Sequence, residues 1–544
     1  MSRPTMTTTH NHPPPTVWLI GGGVESLVAA SCLINEARVP GNHIRILDSR
    51  RQPQSTTKHH KKKTSHKDTV TLQTQCQDLP CASTHQSYQP PALNAPLSFP
   101  KEACSLPCSR HRTEVFMSEP INFLSHLGCK QVWRKNRKDV LHFLLQDEAE
   151  YEGMSIQRVF DESFFDSYFW RLFSSSFGLR PLHSAVEFHR YISKYLDEVI
   201  GNTIHVADPL PFSLRRTVLR PLRAYLRNQG VQFRHLLVTD IHFTPEREPK
   251  TACGIQAVGK RGAVLLPVQA EDRVIVTIGS AASGISTGSP AAAPPASSTR
   301  AELLLDPSWS LWFALARKSS QCGNPSSFCT HLPDSRLGMF VIHLPRADFD
   351  AIHRRMLPTN SSSAAAGGRT DASITHSPWT FKLIFSADEP SPASTSRNPP
   401  TPYPCILGYG FTPDTTGHHI QKPMHACSGD EILAELLGCL DLPADPIIRT
   451  ARVIPYTLPL GLSPLLQRGP GDRPAITPSD LANVALVGQY VEVPEETALM
   501  TAYSVRSAQL AVQRLVGAPT ETVSEVHKSF LAARYGRKGG VSAR

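Results

Sequence analysis

The fold is decided near the amino terminus by the stretch Thr16-Val17-Trp18-Leu19-Ile20-Gly21-Gly22-Gly23-Val24-Glu25-Ser26-Leu27-Val28. Residues 16–20 are β-branched, apolar or aromatic, which predicts a buried strand. After the three glycines, apolar residues recur at helical spacing as far as Cys32, which predicts a helix. The alternating stretch His43-Ile44-Arg45-Ile46-Leu47-Asp48 predicts a second strand. Residues 16–48 therefore form a βαβ unit that opens an α/β protein.

The glycine turn indicates a nucleotide site, because it follows a predicted strand and opens a predicted helix. Gly21 permits the tight turn, and Gly23 lets backbone N–H groups approach a diphosphate at the helix N-terminus. Ser26 takes the place of a third glycine. Asp48 closes the second strand, where an acid receives a ribose 2′-hydroxyl group, so it argues against NADP. The motif leaves FAD and NAD open as alternatives, along with a turn that binds no ligand.

Composition limits the class of protein. The net charge is +10, but residues 50–112 hold ten Lys or Arg and three acids, so most of that charge lies in one low-complexity segment. A folded nucleic-acid-binding face is therefore not expected. No apolar run is long enough for a membrane span, and residues 1–15 lack the apolar run of a secretory signal. Twelve cysteines without framework spacing predict free thiols and a cytoplasmic location.

The rest of the chain predicts nucleotide-binding layers assembled from distant segments. Residues 156–196 and 217–229 indicate helices, 231–243 and 273–278 strands, 483–487 a final buried strand, and 502–515 a long helix. Segments rich in Ser, Ala and Pro interrupt these elements at 286–300, 357–377 and 387–402.

Several blocks of sequence resemble the oleate hydratase family, also called myosin-cross-reactive antigens. The resemblance begins at 21–27, resumes at His183-Ser184-Ala185-Val186-Glu187-Phe188-His189-Arg190-Tyr191, and is closest between Gly471 and Ala508. The blocks run in family order over most of the chain. The resemblance implies a doubly wound, Rossmann-like FAD-binding domain built from discontinuous segments, with a helical substrate and lid region.

This resemblance also implies the following division of the chain: 1–15, disordered N-terminus; 16–48, first βαβ unit; 49–113, basic low-complexity insertion; 114–230, helical substrate region; 231–285, FAD-domain strands; 286–300, linker; 301–450, substrate and lid region; 451–517, FAD-domain strand and helix; 518–544, C-terminal tail. The cofactor implied is FAD, and the candidate residues that bind it are Gly21, Gly22, Gly23, Glu25, Ser26, Asp48, Val238, Gly279, Ser280, Gly488, Gln489, Ser504 and Arg506.

The implied activity is addition of water to the cis double bond of an unsaturated fatty acid, in a homodimer. A peripheral contact with a membrane is left open. Hydration needs a group that protonates one alkene carbon and a base that activates water for the other. The family's Arg-Gly-Gly-Arg-Glu loop, which carries the base, is absent from residues 50–112. Its proton-donating tyrosines are replaced in the stretch Phe212-Ser213-Leu214-Arg215-Arg216-Thr217.

The catalytic residues are therefore left unassigned, and two alternatives accompany the hydratase. One is an FAD and fatty-acid binding protein with impaired catalysis, and the other, weaker one is a flavin oxidoreductase.

Other candidates are weighed against plainer interpretations. His183 is expected to be a buried, hydrogen-bonded histidine rather than a substrate ligand. Phe169, Trp170, Trp309 and Trp312 are expected in the core. Glu492 and Glu495 could face a flavin edge or be loop acids. The grouping of Cys104, Cys108 and His111 matches no usual zinc spacing, so no metal site is expected.

Overall fold

The computed structural model describes residues 15–49, 113–116, 138–200, 218–244, 248–295, 306–356, 370–390, 402–494 and 496–517. Its strands are β1 Val17–Ile20, β2 Ile44–Leu47, β3 Thr113–Phe116, β4 Gln232–Arg234, β5 Leu237–Phe243, β6 Ala252–Gly259, β7 Gly262–Pro267, β8 Arg273–Thr277, β9 Ser286–Thr287, β10 Leu337–His343, β11 Thr370–Ile374, β12 Phe381–Pro390, β13 Pro402–Gly410, β14 Arg452–Leu458 and β15 Val484–Val487.

The named helices are α1 Val24–Asn35, α2 Ile156–Val159, α3 Glu162–Phe165, α4 Tyr168–Phe177, α5 Ala185–Ile200, α6 Arg220–Asn228, α7 Pro307–Lys318, α8 Ser326–Cys329, α9 Leu332–Ser335, α10 Arg346–Met356, α11 Gly429–Cys439, α12 Ala444–Thr450 and α13 Thr501–Val516. A further helical stretch covers 138–145. No helix among these described residues is both long and apolar enough to cross a lipid bilayer.

A parallel sheet carries the predicted glycine turn. Its strand order is β15-β8-β1-β2-β4, and β1 lies between β2 and β8, with Val17 opposite both Ile44 and Arg273. Every residue of β1 and of β15 is buried, as expected for parallel strands covered on both faces. Helices α1 and α13 pack together beside this sheet. The predicted α/β class, with layers assembled from distant segments, is confirmed.

Two further sheets complete the fold. Strands β5, β6 and β7 form an antiparallel sheet, and α7 packs against β5. A mixed sheet has the order β3-β11-β12-β13-β10-β14-β9. A second hydrophobic core lies under this mixed sheet and includes Phe340 and Ile406 from its strands and Leu433 from α11. Helices α2 to α5 are rich in aromatic residues and share the main hydrophobic core with the parallel sheet, and α4 also contacts strands of the mixed sheet.

The sheets divide the chain differently from the predicted limits at several points, among them β9, which lies in the predicted linker and pairs with β14 in the mixed sheet. Residues 113–116, at the start of the predicted helical region, form β3 and pair in parallel with β11. Helix α6 packs on α1 rather than with the other helices of the predicted substrate region. Strand β14, inside the predicted C-terminal FAD segment, belongs to the mixed sheet. Each difference comes from a pairing between residues far apart in sequence, which local patterns do not specify. Most of the predicted insertion at 49–113 (residues 50–112), the predicted N-terminus as far as residue 14 and the predicted C-terminal tail, 518–544, lie outside the described residues.

Candidate functional site

The glycine turn has the geometry of an anion-binding helix start. Gly21 has a φ of +115°, and a Cβ atom there would lie 2.9 Å from Oγ1 of Thr277, so only glycine fits. Its N–H group donates to the carbonyl oxygen of Leu47 at 2.9 Å. Gly23 is the N-cap of α1, and no side chain of the described residues caps that helix. The first amides of α1 are therefore available to a ligand, and the helix dipole favours an anion there.

Several candidate residues converge at the carboxyl ends of β1, β8 and β15. Ser26 Oγ and Thr277 Oγ1 lie within 3.6 Å of the position where a Cβ on Gly21 would be. Gly488 follows β15, has a φ of +118°, and a Cβ there would lie 3.7 Å from Thr277 Cγ2. Its N–H group donates to Ser507 Oγ at 3.0 Å. Ligands of open parallel sheets bind at this edge.

Two buried hydroxyl oxygens beside the glycine turn, Ser26 Oγ and Thr277 Oγ1, have no hydrogen-bond partner among the described residues. The chain between β15 and the first turns of α13 holds three further buried atoms of this kind, Gln489 Nε2, Thr497 Oγ1 and Ser504 Oγ. Buried polar groups in proteins are nearly always hydrogen-bonded, and leaving one unpaired costs roughly 1–3 kcal/mol. The two hydroxyl groups beside the N-terminus of α1 fit a polar ligand there, and a dinucleotide is one.

Asp48 lies at the end of β2, as predicted, and is bound to a residue that was not predicted. Its Oδ2 atom lies 3.1 Å from Nη2 of Arg223 on α6. The same guanidinium nitrogen donates to the carbonyl oxygen of Gly22 at 3.3 Å. Arg223 therefore joins the predicted ribose-binding acid to the glycine turn.

The remaining sequence-predicted residues occupy more varied positions. Glu25 is buried in the first turn of α1, and Val238 is buried in β5 of the antiparallel sheet. Gly279 follows β8, with a φ of +62°. The side chain of Ser280 accepts from the N–H group of Ala282 at 3.3 Å. Arg506 is half-buried on α13.

A charge cluster joins α5 to the chain around β15. It is formed by the buried residues Glu187, Arg190, Arg468 and Arg473 and the half-buried Glu492. Glu187 Oε1 lies 2.8 Å from both Arg468 Nη2 and Arg473 Nη1, and Arg190 Nη2 lies 2.5 Å from Glu492 Oε1. Burial raises the pKa of Glu187, but Arg473, Arg468 and Arg190 outweigh burial and lower it to about 2. Glu187 is therefore a carboxylate at neutral pH.

The charge cluster also fixes the start of α13. Arg473 Nη1 donates to the hydroxyl oxygen of Tyr503 at 2.9 Å, and that hydroxyl group donates to the carbonyl oxygen of Val491 at 2.7 Å. Glu492 forms ion pairs with Arg190 and Arg468. It is therefore an ion-paired residue of the charge cluster, a role that neither of the two sequence-based alternatives described. Glu495 lies outside the described residues.

His183 is a neutral core residue, as expected. It is fully buried, and its Nδ1 atom accepts from the backbone N–H of Arg180 at 3.1 Å. Burial, followed by the positive charge of Arg180, lowers its pKa to about 3. Phe169, Trp170, Trp309 and Trp312 are likewise buried, and the prediction that they belong to the core is confirmed.

Sequence reasoning missed Arg223 and most of the charge cluster. Arg468 and Arg473 lie in a proline- and glycine-rich loop, and only their proximity in space to Glu187 shows their role. The replaced family positions Phe212 and Arg215, and the grouping of Cys104, Cys108 and His111, lie outside the described residues. The described residues contain no group of side chains arranged to hold a metal ion.

A model of the MCRA family matches residues 15–513 of this chain. An oleate hydratase from Streptococcus pyogenes serotype M49 (strain NZ131) is 28% identical over 397 residues, which cover 70% of this chain and 64% of that protein. A linoleate hydratase from Lactiplantibacillus plantarum is 23% identical over 397 residues, which cover 69% and 68% of the two chains. The match thus spans less than two thirds of the first relative's length.

Among solved structures, the tryptophan 5-halogenase MibH is 13% identical with a TM-score of 0.33, covering 97% of this chain and 72% of that one. The fold assignment rests on the strand order and not on this similarity. The family model, in contrast, covers nearly the whole chain and confirms the resemblance seen in the sequence. The chain belongs to the MCRA family.

Proposed function

We propose that this protein binds FAD at the carboxyl edge of the parallel sheet and adds water to the cis double bond of an unsaturated fatty acid. The observation that carries the proposal is the pair of buried hydroxyl oxygens, Ser26 Oγ and Thr277 Oγ1, that have no hydrogen-bond partner among the described residues and lie beside the uncapped start of α1. Two relatives are named as hydratases of oleate and linoleate, which supports the substrate class.

The chain's own residues would hold the cofactor as follows. The amides of Gly22, Gly23 and the first turn of α1 would bind the diphosphate. Asp48 would accept a ribose hydroxyl group. Gln489 Nε2 and Ser504 Oγ, which have no hydrogen-bond partner among the described residues, would form hydrogen bonds with the cofactor. Hydration is redox-neutral, so FAD would contribute shape and electrostatics to the site. The acid and base of the addition stay unassigned.

The cofactor assignment is tested by flavin binding. Purified wild-type protein should take up FAD and show its absorbance. A Gly23→Val variant places a branched side chain where the diphosphate approaches, so it should lose that absorbance. Ala263→Val, on the exposed strand β7, is the matched control and should bind FAD like the wild type. Equal FAD affinity in all three proteins would contradict the assignment.

A second candidate is an FAD and fatty-acid binding protein with impaired catalysis. It is favoured by Phe212 and Arg215 at the positions where the resemblance predicts tyrosines, because phenylalanine cannot donate a proton and arginine is a poor acid at neutral pH. General acids and bases each contribute about 10²- to 10⁴-fold. Incubating the FAD-loaded protein with oleate separates the two candidates. Hydroxystearic acid supports the hydratase, and retention of unchanged oleate supports the binding protein.

We further propose a cytoplasmic homodimer. No disulfide bond joins the cysteines of the described residues, which supports a reducing compartment. Light scattering of the purified full chain gives the mass directly, and a monomer at micromolar concentration would contradict the dimer. A peripheral membrane contact is tested by co-sedimentation with lipid vesicles.

A further inference from the structure

Helix α6 is fixed against the βαβ unit by contacts from its C-terminal half. Tyr225 donates to Oδ1 of Asn35 on α1 at 3.1 Å. Directly after the helix, the backbone of Gln229 packs against Gly41. A Cβ atom on residue 41 would lie only 2.0 Å from the carbonyl oxygen of Gln229. The chain then continues into β4, next to β2 in the parallel sheet. Since α6 is held in this way, the place that the Arg223 side chain reaches is set by the fold.

Arg223 reaches a point where the carboxylate of Asp48 and the glycine turn meet. Its guanidinium carbon lies 5.0 Å from the centre of the Phe233 ring, and Nη2 contacts both Asp48 and the Gly22 carbonyl oxygen. The side chains of Arg223 and Asp48 are only 12% and 9% exposed. Interactions between charges this far buried are weakly screened by salt.

The charges at this point pose a problem for a dinucleotide. A diphosphate at the start of α1 would be repelled by the carboxylate of Asp48, and buried like charges interact strongly. The guanidinium of Arg223 offsets that carboxylate and also fixes its direction by a charge-assisted hydrogen bond.

We propose that Arg223 is a positioning residue of the nucleotide site, which holds Asp48 beside the glycine turn and balances its charge for the adenosine diphosphate half of FAD. This inference rests on the proposed function. It adds a residue on α6, outside the sequence motif, to the determinants of cofactor affinity.

The test measures dissociation constants for FAD and for ADP by calorimetry on the full chain. Arg223→Met should weaken both ligands by about tenfold or more, the size expected for one hydrogen bond to a charged group. Arg227→Met is the matched control, since Arg227 lies one turn further along α6 and stacks on the same Phe233 ring at 5.2 Å. It should change both affinities by less than about twofold, because Arg227 lies one helical turn away from the residue that contacts Asp48.

A double variant separates charge balance from simple anchoring of α6. Arg223→Met removes the guanidinium that contacts Asp48, so adding Asp48→Asn, which removes the negative charge itself, should restore part of the lost ADP affinity. If Arg223 only anchors α6, Asp48→Asn should weaken ADP binding in the Arg223→Met protein by as much as it does in the wild type. That result would overturn the inference. Equal affinities in Arg223→Met and Arg227→Met overturn it as well.

Two more outcomes are decided in advance. If Arg223→Met does not fold, Arg223→Lys is measured instead. Measurable ADP binding that is weaker than that of the wild type supports the inference, and undetectable ADP binding overturns it. If the wild type binds ADP but not FAD, the proposed cofactor is wrong, while the ADP measurements still decide the role of Arg223. A wild type that binds neither ligand overturns both proposals.

Discussion

Gly279 and Tyr490 are packed so closely that a Cβ atom on Gly279 would lie 2.5 Å from Cδ2 of the tyrosine ring. Tyr490 is held in turn by Ser463, with 2.8 Å between the two hydroxyl oxygens, and by the Trp309 ring, whose centre lies 5.0 Å away. The turn after β8 and the loop after β15 are therefore locked to each other, and both border the candidate cofactor edge.

Replacing Gly279 by alanine should lower the free energy of unfolding by more than the cost of placing an L-residue at a positive φ. An L-residue in the left-handed region costs roughly 1–2 kcal/mol, and forcing a methyl group into the packed Tyr490 ring adds about 1–3 kcal/mol. Gly471→Ala is the control, because Gly471 has a φ of +77° and nothing lies within 4 Å of its Cβ position. Denaturant unfolding should show the larger loss for Gly279→Ala, and equal losses would disprove the close packing.

The charge cluster should depend strongly on Glu187. Glu187→Gln removes the negative charge that lies 2.8 Å from both Arg468 and Arg473. Removing one partner of a buried ion pair costs about 3–5 kcal/mol, because the remaining charges stay buried and uncompensated. The free energy of unfolding, measured in urea, should fall by that amount.

Glu148→Gln is the matched change at the edge of the same cluster. Glu148 lies 2.9 Å from Arg190, but its side chain is 31% exposed. Solvent screening limits such a pair to about 1 kcal/mol or less. If the two variants lose similar stability, Glu187 is not the centre of the cluster.

The sequence predicts the βαβ unit of the parallel sheet well because the determinants of that unit are local. The glycine turn, the apolar run before it and the helical spacing after it all lie within residues 16–48, and the strand that ends at Asp48 follows directly. Arg223 and Glu187 could not be assigned in this way. Arg223 lies 175 residues from Asp48, and Glu187 lies 286 residues from Arg473. Charged residues on a predicted helix look alike in sequence whether they face solvent or a distant loop.

Acid should destabilise the protein through His183. Burial and Arg180 lower its pKa to about 3 from an ordinary value of 6.5, so between these values the unfolded chain binds a proton that the folded protein does not. The stability contributed by the neutral ring is complete above pH 6.5 and is lost as the pH falls towards 3, at up to about 1.4 kcal/mol per pH unit.

The measurement for His183 compares unfolding at pH 7 and pH 5, where Glu187 remains ionised. His183→Gln keeps an acceptor for the Arg180 N–H group but cannot titrate, so its stability should fall less over this range than that of the wild type. His331→Gln, which removes a histidine whose side chain is 66% exposed, is the matched control. Parallel curves for the wild type and His183→Gln would contradict a neutral His183.

Thr277 offers a test in which stability and cofactor affinity should change in opposite directions. Its Oγ1 atom is buried at the end of β8 without a hydrogen-bond partner among the described residues. Thr277→Val replaces that hydroxyl group by a methyl group of similar shape, which removes the unsatisfied polar atom. The free energy of unfolding without FAD should therefore rise, by about 1 kcal/mol or more. Affinity for FAD should fall by roughly tenfold, because the bound cofactor loses one hydrogen bond in a buried site. Thr277→Ser keeps the hydroxyl group and should retain most of that affinity. A Thr277→Val protein that binds FAD like the wild type would place the cofactor away from this edge of the sheet.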